Sequence, residues 1–118
     1  MKPFTIVAVI AAAAVLWATG ALAAPTSDTL TGTVGPGFTI SLTQDGKKVT
    51  KLKAGDYTLK IDDRSDQHDF HITGATVDKL TSITGMGKTT WHVNLKKGTY
   101  VYACDPHSAF MKGSFTVH

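Results

Sequence analysis

The chain has 118 residues with 12 basic and nine acidic side chains, a formal net charge of +3. Its acids are all Asp, and 18 Thr accompany them, a composition poor in helix formers that points to one all-β domain. So small a charge, with no basic stripe, argues against a nucleic-acid-binding role.

Lys2 supplies a positive start, Phe4 to Trp17 form an uncharged, mostly apolar run, and Ala21-Leu22-Ala23 carries the small residues expected before a signal-peptidase cut. Residues 1–23 therefore read as a cleaved secretory signal, and residues 24–118 as the mature domain. Thr19 and Gly20 interrupt the run before it reaches the roughly 20 apolar residues of a membrane span, which disfavours an uncleaved anchor. The expected product is secreted or periplasmic, monomeric, and without stable membrane association. Losing Lys2 and no acid leaves it 11 basic and nine acidic side chains, a net charge of +2. A domain of this size buries only about 60–65% of its unfolded surface, and a single Cys cannot form an internal disulfide. The lone thiol of an exported protein therefore needs an explanation.

A first strand is expected at Leu30–Val34. Phe38, Ile40 and Leu42 then alternate with Thr39, Ser41 and Thr43, the period of a half-buried strand. Asp45-Gly46 signals a tight turn into a returning strand at Val49–Leu52. After Ala54-Gly55-Asp56, Tyr57, Leu59 and Ile61 alternate with polar residues, and a polar loop leads to His68-Asp69-Phe70-His71-Ile72. The segment from Ala75 to Gly87 has no clean period. Trp91, Val93 and Leu95 mark another strand, Tyr100-Val101-Tyr102 runs up to Cys104, and Ser114 to Val117 closes the chain. Seven or eight short strands separated by Gly and Asp turns predict a Greek-key β-sandwich.

The chemistry is concentrated in Cys104-Asp105-Pro106-His107-Ser108-Ala109-Phe110-Met111. A thiolate, an imidazole and a thioether within eight residues converge on one centre if the loop curls, and these soft donors select copper over hard cations. One more imidazole completes a His₂Cys set with Met as a weak axial donor. Strand parity chooses among the other histidines. His68 shares the phase of Phe70 and Ile72 and points inward; His71 shares that of Asp69 and faces away; His92 lies on the solvent face and His118 ends the chain. The expected ligands are His68, Cys104, His107 and Met111. Nucleophilic catalysis by Cys104 is disfavoured, because no motif places an orienting group and both histidines are better used by the metal.

His68-Asp69-Phe70 and the run from Tyr100 to Gly113 resemble the two copper-binding segments of the cupredoxins, the group of plastocyanin, azurin and amicyanin. The resemblance implies a type 1 copper site in an exported electron carrier: His68 and His107 as imidazole ligands, Cys104 as thiolate, Met111 as axial thioether. It also implies redox partner proteins that dock where the His107 edge meets an apolar patch, with Lys88, Lys96, Lys97 and Lys112 as candidates to ring it. Two features depart from the family pattern. Three residues separate His107 from Met111, and Asp69 stands where the family usually has Asn, so an altered surrounding of the thiolate is expected. The alternatives are a copper protein for storage, delivery or tolerance without electron-transfer turnover, and a metal-free binding module.

Overall fold

Alternating burial turns the apolar residues of nearly every strand toward one shared core. The computed structural model describes residues 28–118 and Pro3; the rest of the expected signal segment and the start of the mature domain lie outside the described residues. Two five-stranded sheets face each other. The first contains β1 (Thr29–Val34), β2 (Ile40–Gln44), β3 (Lys47–Lys48), β5 (Gly55–Asp63) and β8 (Gly87–Leu95), in the order β3-β2-β1-β5-β8. The second contains β4 (Lys51–Leu52), β6 (His71–Thr73), β7 (Asp78–Leu80), β9 (Gly98–Ala103) and β10 (Lys112–Val117), in the order β4-β10-β9-β6-β7.

The ten strands among the described residues exceed the seven or eight expected for two reasons. The returning strand near Val49 divides, β3 pairing with β2 in one sheet and β4 with β10 in the other, and β7 forms within the segment that lacks a period. All three residues of β7 are exposed, so no alternation was available to reveal it. The parallel pairings β1 with β5 and β4 with β10 show that the chain crosses between sheets instead of meandering along one.

Leu30, Leu42, Leu59, Ile61, Ile72, Leu95 and Phe115 fill the interface between the sheets. Within it Phe70 stacks on Tyr102 and Tyr100 on Phe115, with ring centroids 5.7 and 5.3 Å apart. Gly113, opposite Tyr102 in the β9–β10 pair, is open enough for that ring to lie over it; a Cβ there would fall on the ring. Tyr100 also closes the β8–β9 turn, its hydroxyl donating to the Lys96 carbonyl at 2.8 Å and accepting from the Lys96 N–H at 3.1 Å.

Candidate metal centre

The antiparallel pairing of β6 with β9 brings the two chemistry-bearing segments side by side. His71 stands opposite Ala103 and Ile72 opposite Tyr102, so the residues just before β6 lie against those just after β9. His68, Asp69 and Phe70 are not part of the strand but of the segment that enters it, and all three are buried. Thr81 holds this segment: its N–H donates to the Phe70 carbonyl at 3.1 Å and its hydroxyl accepts the Phe70 N–H at 2.9 Å.

Past Cys104 the chain makes a single 3₁₀ turn, Asp105–His107, with Pro106 pre-set for it. The loop is tied to itself. The Cys104 N–H donates to the Met111 carbonyl at 3.0 Å, and the N–H groups of His107 and Met111 donate back to Cys104 and His107 carbonyls at 3.1 and 2.9 Å. Thiol, imidazole and thioether residues therefore lie on one short closed loop despite the three residues between His107 and Met111.

Cys104 Sγ lies 3.6 Å from His68 Nδ1 and 3.6 Å from His107 Nδ1, and the two Nδ1 atoms lie 3.1 Å apart. A point in their plane equidistant from all three lies about 2 Å from each, close to metal–nitrogen bonds of about 2.0–2.1 Å and a little short of metal–sulfur bonds of about 2.3 Å. Two imidazole nitrogens and a thiol sulfur converging in this way form a donor set that suits copper. Met111, at the end of the loop, is 1% exposed and packs with the core. His92 and His118 are exposed, as expected, although the His118 backbone is pinned by hydrogen bonds to Leu52 and Ala54. His71 faces away from the three donors, toward Asp105 and Asp78.

Burial pushes the Cys104 thiol up from its ordinary pKa, and backbone hydrogen bonds near Asp69 and His107 pull the other way. Free of metal, Cys104 is thus a protonated buried thiol and not an activated nucleophile.

Parity misplaces Asp69. It was expected to face away with His71, yet it is 0% exposed, because the residues before β6 do not follow the strand's alternation. Its Oδ1 accepts the Asp105 N–H at 2.6 Å, tying the His68 segment to the Cys104 loop; Oδ2 is buried without a hydrogen-bond partner. The nearby Cys104 thiol is the least of the influences on the Asp69 pKa and lowers it. Burial pushes the Asp69 carboxyl up, and the adjacent Asp105 carboxylate, which a protonated Asp69 can hydrogen-bond, adds to this. Asp105 moves down, held there chiefly by Asp69 and also by His71.

Phe38 is the residue that sequence reasoning assigned to the wrong task. It was expected at the start of a strand on the apolar face, but β2 begins at Ile40, and Phe38 sits on the preceding bend, 64% exposed. Its ring lies 5.1 Å from that of His107, 5.5 Å from that of His68 and 5.6 Å from that of Phe110. The Gly35-Pro36-Gly37 sequence just before it was the available signal that the strand had not yet begun. Half-buried His107 therefore opens to solvent between two exposed phenylalanines.

The lysines divide. Lys112 pairs with Ala103 beside Cys104 and Lys88 pairs with Asp62 at the same end, whereas Lys96 and Lys97 precede Gly98, which pairs with Val117 at the other end. The length of β9, about 17 Å at roughly 3.3 Å per residue, separates them from the donor cluster, so they do not ring it.

The family described as copper binding proteins, plastocyanin/azurin family, matches residues 38–118. No curated protein matches the chain. Among solved structures, reduced rusticyanin is similar with a TM-score of 0.60 and 18% identity, over 81% of this chain and 82% of that one. Rusticyanin from Thiobacillus ferrooxidans gives 0.53 and 23%, over 80% and 79%. A Cu(I) amicyanin mutant gives 0.51 and 17%, over 77% and 83%.

Proposed function

The chain belongs to the plastocyanin/azurin family of copper-binding proteins, and from that premise we propose that it is an exported one-electron carrier whose copper is held by His68, Cys104 and His107, with Met111 as a weaker axial donor. The observation that carries this reading is the triangle of Nδ1, Sγ and Nδ1 atoms with sides of 3.1, 3.6 and 3.6 Å. Copper, when bound, supplies the Cu(II)/Cu(I) couple.

The protein's residues make that couple fast by being unable to move. His68 is held by a buried segment that Thr81 ties down, Cys104 by the end of β9 and the Met111 carbonyl, and His107 by the 3₁₀ turn. Donors held in one arrangement, acceptable to both oxidation states, keep the rearrangement on electron transfer small. Cys104, Met111 and His68 exclude water, so His107 is the donor with a path to the surface, and its edge emerges between Phe38 and Phe110. That apolar rim is where redox partner proteins dock, with Lys88 and Lys112 as the basic groups at the same end. An enzymatic role for Cys104 is disfavoured by its raised pKa and by the engagement of its two imidazoles with the same centre. Export rests on the signal pattern of residues 1–23.

The test is to add Cu(II) to the purified protein and record visible and EPR spectra together with voltammetry. An intense thiolate-to-copper band that disappears in Cys104→Ser and His68→Ala, with a reversible one-electron couple, supports the reading. Met111→Leu should retain copper with a changed potential. A colourless product, or copper taken up only as Cu(I) without a reversible couple, overturns it in favour of storage or delivery.

A further inference from the structure

His68 sits between strands: β5 ends at Asp63 and β6 begins at His71, so the residues that connect them are fixed by something other than sheet pairing. Asp63 stands at the head of this connection. It is 5% exposed, and its backbone is paired on both sides, with Val34 of β1 and with Gly87 of β8.

Each carboxyl oxygen of Asp63 starts a chain of hydrogen bonds, and the two chains end on either side of His68. Oδ1 accepts the Ser65 N–H at 3.1 Å, and the Ser65 hydroxyl accepts the Gln67 N–H at 3.1 Å, immediately ahead of the imidazole. Oδ2 accepts the Thr81 hydroxyl at 3.4 Å, and the same hydroxyl oxygen accepts the Phe70 N–H at 2.9 Å, just beyond it. A hydroxyl accepts while it donates, so the Thr81 relay is chemically consistent. We propose that Asp63 is a positioning residue for the copper ligand His68, acting through Ser65 on one side and Thr81 on the other; the inference rests on the copper reading of the site.

Short Asp and Ser side chains capture nearby backbone donors, which is how they shape a connection that has no strand pairing of its own. This connection delivers a buried imidazole whose Nδ1 lies 3.6 Å from Cys104 Sγ and 3.1 Å from His107 Nδ1. Cys104 follows β9 of the second sheet, whereas Asp63 belongs to the first, so the network holds the His68 segment in register with both. Asp63 is also near enough to His68 for its charge to be felt there. Asp63→Asn separates the two effects: it keeps an oxygen for the Ser65 N–H and offers an amide N–H to the Thr81 oxygen, without the charge.

The test compares Asp63→Ala and Asp63→Asn with the parent, by amide hydrogen exchange of the metal-free protein and by copper affinity measured in competition with a chelator. In Asp63→Ala the Gln67 and Phe70 amides should exchange about tenfold faster while those of β10 keep their protection, and copper affinity should fall about 10–100-fold. Asp63→Asn should restore both. Should Asp63→Ala fail to fold, Ser65→Ala and Thr81→Val divide the network: the first should release Gln67 alone and the second Phe70 alone, each with weaker copper binding. A lower melting temperature with unchanged protection at Gln67 and Phe70 and unchanged copper affinity would overturn the proposal. So would an Asn variant as impaired as Ala, since the effect would then belong to the charge. A parent protein that takes up no copper overturns the reading of the site, and amide exchange still decides whether Asp63 holds the His68 segment.

Discussion

Replacing Asp69 by Asn exchanges a buried carboxyl for a neutral amide of the same shape. The side-chain oxygen can still accept the Asp105 N–H, so the link between the two copper-binding segments survives. What disappears is the requirement to ionise a group that is 0% exposed and whose Oδ2, as a carboxylate, has no hydrogen-bond donor. An unsatisfied buried polar atom costs about 1–3 kcal/mol, and the new amide N–H can instead donate toward the Asp105 carboxylate. The metal-free variant should therefore be more stable than the parent by about 1–3 kcal/mol at pH 7, a midpoint shift of roughly 1–2 M urea for a domain of this size.

The gain must depend on pH in one direction. Because burial raises the folded-state pKa of Asp69, its contribution to the parent's stability is fully present below the unfolded value of about 3.9 and is lost as pH rises through the folded value. The two proteins should thus approach one another near pH 4 and separate toward pH 7. Asp63, whose pKa burial also raises, is common to both and drops out of the comparison. Urea unfolding in EDTA at several values between pH 4 and 8 makes the measurement. A variant less stable than the parent at pH 7, or a difference that does not vary with pH, would refute the account of Asp69 as a buried, poorly satisfied carboxyl.

Three further outcomes are expected. Tyr100→Phe removes both hydrogen bonds to the Lys96 backbone and should cost about 1–3 kcal/mol in urea unfolding, with an unchanged copper spectrum because the β8–β9 turn lies at the far end of β9 from Cys104. Gly113→Ala puts a methyl group where the Tyr102 ring lies and should destabilise by about 1–3 kcal/mol, seen as a lower melting temperature of the metal-free protein. Reversing the charge of Lys96 and Lys97 together should leave the rate of electron exchange with a partner nearly unchanged, whereas Phe38→Ala should slow it, in stopped-flow measurements; the opposite pattern would place docking at the other end of the sandwich.

Alternation along a strand reports burial only where the strand exists and has two unlike faces. It does so in β5 and β8, where Leu59, Ile61, Val93 and Leu95 are buried as their phase requires. In β7 it is silent because every side chain is exposed, and Lys96 and Lys97 were placed at the wrong end because strand register, which local sequence does not encode, decides which turns share a pole.

The same limit explains the region around the copper donors. Cys104, His107 and Met111 were legible because one short loop carries all three, and spacing along a loop is a sequence property. His68 comes from a segment ahead of β6 where every residue from 68 to 70 is buried, so its inward orientation follows from packing under Thr81 and beside Cys104, not from the parity that selected it. Parity applied beyond the end of a strand then failed for Asp69 and hid its approach to Asp105. That approach needs the β6–β9 pairing, which sets residues more than thirty positions apart against each other. A carboxylate so placed beside a thiol is unfavourable by itself, and burial with the neighbouring Asp105 carboxylate raises its pKa, favouring a proton there.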